Sequence, residues 1–166
     1  NDIELTGLSE TSHTFVIWLV DDNHENLTPY VADTVSFTVS QIQNISIAEA
    51  HNQTEGTRVT VRGIVTTPNF QSSNTEYGLQ DPTAGIVIFH WGAPYVTLNV
   101  GDSVEVTGDL DDYNGKLEIV PSGASDITVI SSGNSLPAFQ EISVATLITN
   151  GEDYESELIR INGASI

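Results

Sequence analysis

The sequence has no cysteine, no methionine, and only four lysines and arginines among its 166 residues. Without cysteine there is no disulfide framework and no thiolate-ligated zinc or iron–sulfur centre. With no methionine, not even a first one, the chain is expected to be a mature or excised piece of a longer protein. No apolar run approaches the ~20 residues of a membrane-spanning helix, and no segment has the order of a signal peptide. The 23 acids against four bases leave a net charge of −19. Such an excess keeps a chain soluble and repels polyanions. A secreted or cell-surface protein is the expectation from this composition.

The acid is unevenly spread. Residues 1–55 carry nine acids and no base, and residues 101–166 carry twelve acids with Lys116 and Arg160. Between them, residues 56–100 balance Arg58 and Arg62 against Glu76 and Asp81. Contact with a polyanion is expected in that neutral stretch.

Strand signals dominate. In "HTFVIWLV", Phe15, Ile17 and Leu19 are expected on one face against His13, Val16, Trp18 and Val20; "DTVSFTV" puts Val35, Phe37 and Val39 on one face. "DDNHENLTP" between them is turn chemistry. Residues 1–40 therefore read as two or three antiparallel strands. "LTGLSETSHTFVIWLVDDN" resembles the closing part of an immunoglobulin-like or fibronectin-type β-sandwich. A sandwich needs about seven strands over ~100 residues, so this segment is expected to leave an apolar face that it cannot cover alone.

"ISIAEAHNQ" (Ile45 to Gln53) predicts a short helix, with Ser46 as cap and Glu49 completing a capping box. A regular series follows. "TRVTVRGIVTT" turns Val59, Val61 and Ile64 inward, with Gly63 marking a bulge or a sharp coil. "EYGLQD", "GIVIFHW", "NVGDSVEVTGDL", "KLEIV" and "DITVI" are the next strands, with Val104, Val106 and Leu110 sharing a face. A long strand with a central glycine, a hairpin, an irregular link and a second hairpin predict an all-β, five-stranded Greek-key barrel of the OB type. The pieces "GTRVTVRGIVTT", "EYGLQDPTAGIVIF", "VGDSVEVTGDLDDYNGKLEIV" and "DITVI" resemble the OB-like domain of bacterial extracellular nucleases and other large secreted proteins.

The expected organisation is residues 1–40 as sandwich strands, 41–132 as the barrel, 133–141 ("GNSLPAFQE") as a linker, and 142–166 as a last segment. "ISIAEA" at Ile45 recurs as "ISVATL" at Ile142, and "VTVRG" at Val59 is echoed by "IRING" at Ile159. The last segment thus either closes the first barrel or starts a second OB-like unit.

"DLDDYNGKLE" (Asp109 to Glu118) poses a choice between a calcium loop and a turn. Counted from Asp109 as an EF-hand loop, position 5 is Tyr113, glycine falls at 7 and position 12 is Val120, so that template fails. Asn114-Gly115 is instead a strong two-residue hairpin signal. The resulting register sets Asp111 against Glu118 and Leu110 against Ile119, and places Asp109, Asp111 and Glu118 on the outer face. Opposed like charges are unfavourable. Either Lys116 or a surface-bound hard cation such as calcium, held by Asp109, Asp111 and Glu118, would relieve them.

An OB barrel binds ligand on its second and third strands, helped by two loops. Here that surface takes Phe70, Tyr77, Phe89, His90, Trp91 and Tyr113, with Arg58 and Arg62 beside it. Stacking aromatics with a base or two suit single-stranded nucleic acid, although the same aromatics at strand spacing also suit core packing, and the two arginines suit pairing with acids. Two arginines release few counterions, so affinity would be modest and salt-sensitive. None of His13, His24, His51 and His90 stands in a metal motif such as H-E-x-x-H, and Ser9 is not in a nucleophile elbow. The resemblance implies a non-catalytic module that binds single-stranded nucleic acid weakly for a nuclease domain elsewhere in the parent, alongside neighbouring domains of that chain. A structural or adhesive spacer and a polysaccharide-binding module are the alternatives.

Overall fold

The computed structural model describes residues 6–9, 11–39 and 42–162. They fall into two compact units, Asn1–Gln41 and Ile42–Ile166. No helix among the described residues is long and apolar enough to cross a membrane.

The first unit is a hairpin of β1 (Ser12–Trp18) and β2 (Ala32–Thr38), paired antiparallel. The Asp21 carboxylate organises the connecting turn by accepting from the N–H groups of Asn23 (2.8 Å) and Glu25 (3.0 Å). His13 lies opposite Phe37 and Phe15 opposite Val35, with the His13 and Phe37 rings 5.7 Å apart. His13 therefore shares the face of Phe15 and Ile17 rather than opposing it, because side chains two apart on a strand point the same way. Val16, Ile17, Trp18 and Val35 are exposed. Two strands provide one layer, and a layer by itself encloses no core.

The second unit begins with β3 (Gln43–Asn44) and α1 (Ile47–Ala50). The capping box forms as the sequence predicts: Ser46 accepts from the Glu49 N–H, and Glu49 reaches back to the Ser46 N–H at 2.9 Å. The barrel strands are β4 (Arg58–Val65), β5 (Thr75–Gln80), β6 (Gly85–His90), β7 (Ser103–Tyr113) and β8 (Lys116–Val120). They pair in the order β4-β5-β6-β8-β7, and a β7–β4 ladder closes the ring. All neighbours are antiparallel except β6 and β8. This is the strand order and sense of an OB barrel. β9 (Ile127–Ser131) adds to β7 below β8, so "DITVI" lies beside the ring instead of forming one of its five staves.

Inward positions alternate along every stave. Val59, Val61 and Val65 of β4 are buried, while Ile64 is only half-buried. Val65 takes the place expected of Ile64 because β4 keeps an unbroken register with β7 through Gly63, so the glycine coils the strand without a bulge. A Cβ on Gly63 would sit 2.8 Å from the Gln80 carbonyl oxygen. α1 closes one end of the core with the fully buried Ile47 and Ala50. The turn between β5 and β6 fastens it there: Asp81 and Thr83 accept from the N–H groups of Ile47 (2.9 Å) and Ala48 (3.1 Å).

The C-terminal segment forms β10 (Gln140–Ile142), α2 (Val144–Asn150) and β11 (Ile159–Ile161), with β10 and β11 in their own parallel pair. Among the described residues two hydrogen bonds tie it to the barrel: the Leu117 N–H donates to Glu155 at 2.9 Å, and the Leu158 N–H to the Gln80 side chain at 3.0 Å.

The β7–β8 hairpin has the expected register throughout, with Asn114 at φ 57 and Gly115 at φ 93. Both values are left-handed, as a type I′ turn requires. Replacing Gly115 by valine is expected to cost about 1–3 kcal/mol, read as a lower urea midpoint at unchanged m-value.

Candidate nucleic-acid interface

With Leu79, Ile86 and Ile88 pointing in, the outward positions of β5 and β6 fall to Glu76 and to Phe89 directly across from it. On β8 the outward positions are Lys116 and Glu118, facing Tyr113 and Asp111 of β7. Lys116 is the hub of this surface. Its Nζ lies 2.8 Å from Glu76 Oε1, 2.9 Å from Glu118 Oε1, and 5.8 Å from the Tyr113 ring centre. Gln71 donates to the second Glu76 oxygen at 2.6 Å, and the Phe70 N–H donates to the Glu76 carbonyl at 3.0 Å. The loop between β4 and β5 is thereby drawn against the face. Phe89 meets Trp91 edge-on at 5.2 Å. Phe70 is 67% exposed and Trp91 76%, and Tyr113 is also exposed at the hairpin tip. Aromatics from the β4–β5 loop, the end of β6 and the β7–β8 hairpin thus surround one ion cluster.

Tyr77 does not belong to this surface. It is 2% exposed and sits in the core, its hydroxyl 3.4 Å from the Leu98 N–H, because strand alternation turns it inward beside Leu79. His90 is likewise buried, stacked on Tyr95 at 4.0 Å and bonded to the Ala93 carbonyl at 2.6 Å. Arg58 and Arg62 lie on the outer side of the β4–β7 ladder, opposite Asp109 and Glu105. Arg58 bridges Asp109 (3.2 Å) and Asp126 (2.7 Å), and Arg62 reaches Glu105 at 2.6 Å. Both guanidinium groups are therefore engaged by acids on a different strand pair from the aromatics.

The three candidate cation ligands are also divided. Asp109 serves Arg58, whereas Glu118 is buried beneath Lys116 and is not on an open outer face. Lys116 thus relieves the Asp111–Glu118 opposition from the protein's own side chains. Among the described residues no three His, Asp or Glu side chains converge as a metal site. The residue that sequence reasoning passed over is Glu76, the second partner of Lys116. Its outward position follows from the inward Thr75 and Tyr77 on either side of it.

Electrostatically the hub is divided. The Lys116 hydrogen bond, helped by Gln71, holds the Glu76 carboxyl below its ordinary range. Burial pushes Glu118 above its ordinary range, against the pull of Lys116. Burial alone would lower Lys116, but its bonds to Glu76 and Glu118 raise it. Pulling Lys116 away would leave Glu118 as an uncompensated buried charge, a strongly unfavourable state.

A carboxyl whose folded pKa is depressed stabilises the fold above its unfolded pKa, roughly 4.3 for Glu. That stability disappears as pH falls through the folded value. The thermal midpoint of the wild-type chain is therefore expected to fall on acidification below that range. Glu76→Gln is expected to flatten the fall, as read by melting curves across acid pH.

The chain matches no family model. Over 124 residues, 72% of its length, it is 33% identical to Endonuclease YhcR of Bacillus subtilis (strain 168). It spans about a tenth of that relative, 10% of its length. Among solved structures, the hypothetical protein YgiW of E. coli aligns over 55% of this chain and 98% of its own, at 18% identity and a TM-score of 0.43. Asparaginyl-tRNA synthetase of Entamoeba histolytica aligns over 57% of this chain and 25% of its own, at 20% identity and a TM-score of 0.46.

Proposed function

We propose that the barrel is a non-catalytic OB module that holds single-stranded nucleic acid weakly, on behalf of a nuclease domain elsewhere in a secreted or cell-surface parent protein. The observation that carries this reading is the exposed set Phe70, Trp91 and Tyr113, with Phe89 supporting Trp91. It occupies the outer β5–β6 face and the two loops beside it, where OB folds take oligonucleotides. The similarity to about a tenth of an endonuclease supports the same reading, and leaves the remainder of such a protein to supply the chemistry.

The binding proposed is by stacking. Each base on an aromatic face contributes about 1–3 kcal/mol, and every base has such a face. Phosphate contacts contribute little, because Arg58, Arg62 and Lys116 are all ion-paired. Stacking needs no positive charge, so it can offset part of the repulsion that a charge of −19 imposes on a polyanion. A second reading, polysaccharide binding on the same aromatics, is favoured by one specific feature: Glu76 and Gln71 set hydrogen-bonding groups beside Phe70, and neutral sugars meet no charge repulsion.

Fluorescence titration with single-stranded oligonucleotides separates the two. Binding is expected with a shallow salt dependence, about one counterion or fewer released. Trp91→Ala and Phe70→Ala are each expected to weaken it by about tenfold or more. Absence of oligonucleotide binding together with saturable binding of a neutral oligosaccharide would replace the first reading with the second.

A further inference from the structure

The C-terminal segment repeats the opening of the barrel element for element, with three more residues from Ile142 to Ile159 than from Ile45 to Val59. At the start of the barrel a strand, a helix and a parallel strand follow one another, with Gln43 opposite Val59 and Asn44 opposite Thr60. In the segment the same order recurs, with Gln140 opposite Ile159 and Glu141 opposite Arg160. Ser46 caps α1 by accepting from the N–H three residues on, and Ser143 caps α2 in the same way. The sequence echo of "ISIAEA" in "ISVATL" is thus an echo in three dimensions. The sequence counterpart of Gly63, Gly163, lies outside the described residues.

What differs is the company each helix keeps. This alignment sets Val144 where α1 has Ile47, and Leu147 where it has Ala50. Ile47 is 0% exposed inside the barrel end, whereas Val144 is 50% exposed and Ile148, on the next turn, 81%. The first two N–H groups of α1 are met by Asp81 and Thr83 from the β5–β6 turn. At α2, among the described residues, no turn of another strand does the same. β4 has β5 and β7 as further partners, but among the described residues β11 pairs with β10 alone.

We infer that Gln140–Ile161 is the opening strand–helix–strand of a second OB-like barrel, and that the exposed apolar face of α2 is the surface on which the other strands of that barrel close. The occupant is a further stretch of the same parent polypeptide. It brings strands to both edges of β11 and a turn with side-chain acceptors to the start of α2, as Asp81 and Thr83 do for α1. A second copy of this chain does not fit, because its own α1 already fills its barrel end. The inference is independent of what the first barrel binds.

The test compares the 166-residue chain with the full-length parent by amide hydrogen exchange. In the isolated chain, α2 and β11 are expected to exchange fast, and the barrel strands slowly. In the parent, α2 amides are expected to slow by about a hundredfold or more, and Val144→Asp is expected to abolish that slowing. In the isolated chain Val144→Asp should leave the thermal midpoint unchanged, whereas Ile47→Asp should unfold the barrel. Equal α2 exchange in the two proteins would overturn the inference. So would a loss of stability from Val144→Asp in the isolated chain, which would show α2 seated on the first barrel. Protection of α2 that rises with the concentration of the isolated chain would also overturn it, in favour of self-association.

Discussion

Everything in the second unit depends on one strand serving two neighbours. β4 lies along β7 from Arg58 to Ile64 and then passes to β5 at Ile64 and Val65. The ring closes only because the backbone can coil sharply at that crossing. Gly63 allows it: any side chain there would run into the Gln80 carbonyl and the Leu79 side chain. Once the ring is closed, strand alternation determines which residues lie inside and which outside. The interior is aliphatic, and each fully buried Val or Ile contributes about 1.5–3 kcal/mol. α1 then seals the end with two small-to-medium apolar side chains.

The outer surface obeys a different constraint. An acidic chain must keep its own carboxylates apart or pair them, and four bases cannot pair 23 acids. The structure concentrates its bases where acids would otherwise face each other across strands. Arg58 stands between Asp109 and Asp126, and Lys116 between Glu76 and Glu118. The bases are thus committed to holding the barrel together. What remains available to a ligand is aromatic surface, and the reading of this module as a stacking platform follows from that division.

The β1–β2 hairpin and the C-terminal strand–helix–strand present the same physical situation. Each is a regular element with apolar side chains exposed. A single layer of secondary structure does not enclose a core by itself. For the C-terminal segment the barrel displays the same strand–helix–strand with further strands closed around it.

Much of this was legible in the residues themselves. Ser46 with Glu49 determined the helix cap, and Asn114-Gly115 determined the hairpin register, because both are set by bonds within a few residues. The alternation of Val59, Val61, Val104 and Val106 determined their common face. The repeated "IS" motif foretold the second strand–helix–strand. Tertiary structure alone decided that Tyr77 lies inside and Phe70 and Trp91 outside, since an aromatic residue suits either place. It alone decided that Val65, not Ile64, completes the β4 interior, and that "DITVI" flanks the ring. It also set the partners of Arg58, Arg62 and Lys116, because an ion pair between residues far apart in the chain depends on the closure of the barrel, and no local pattern encodes which carboxylate that closure will bring within reach.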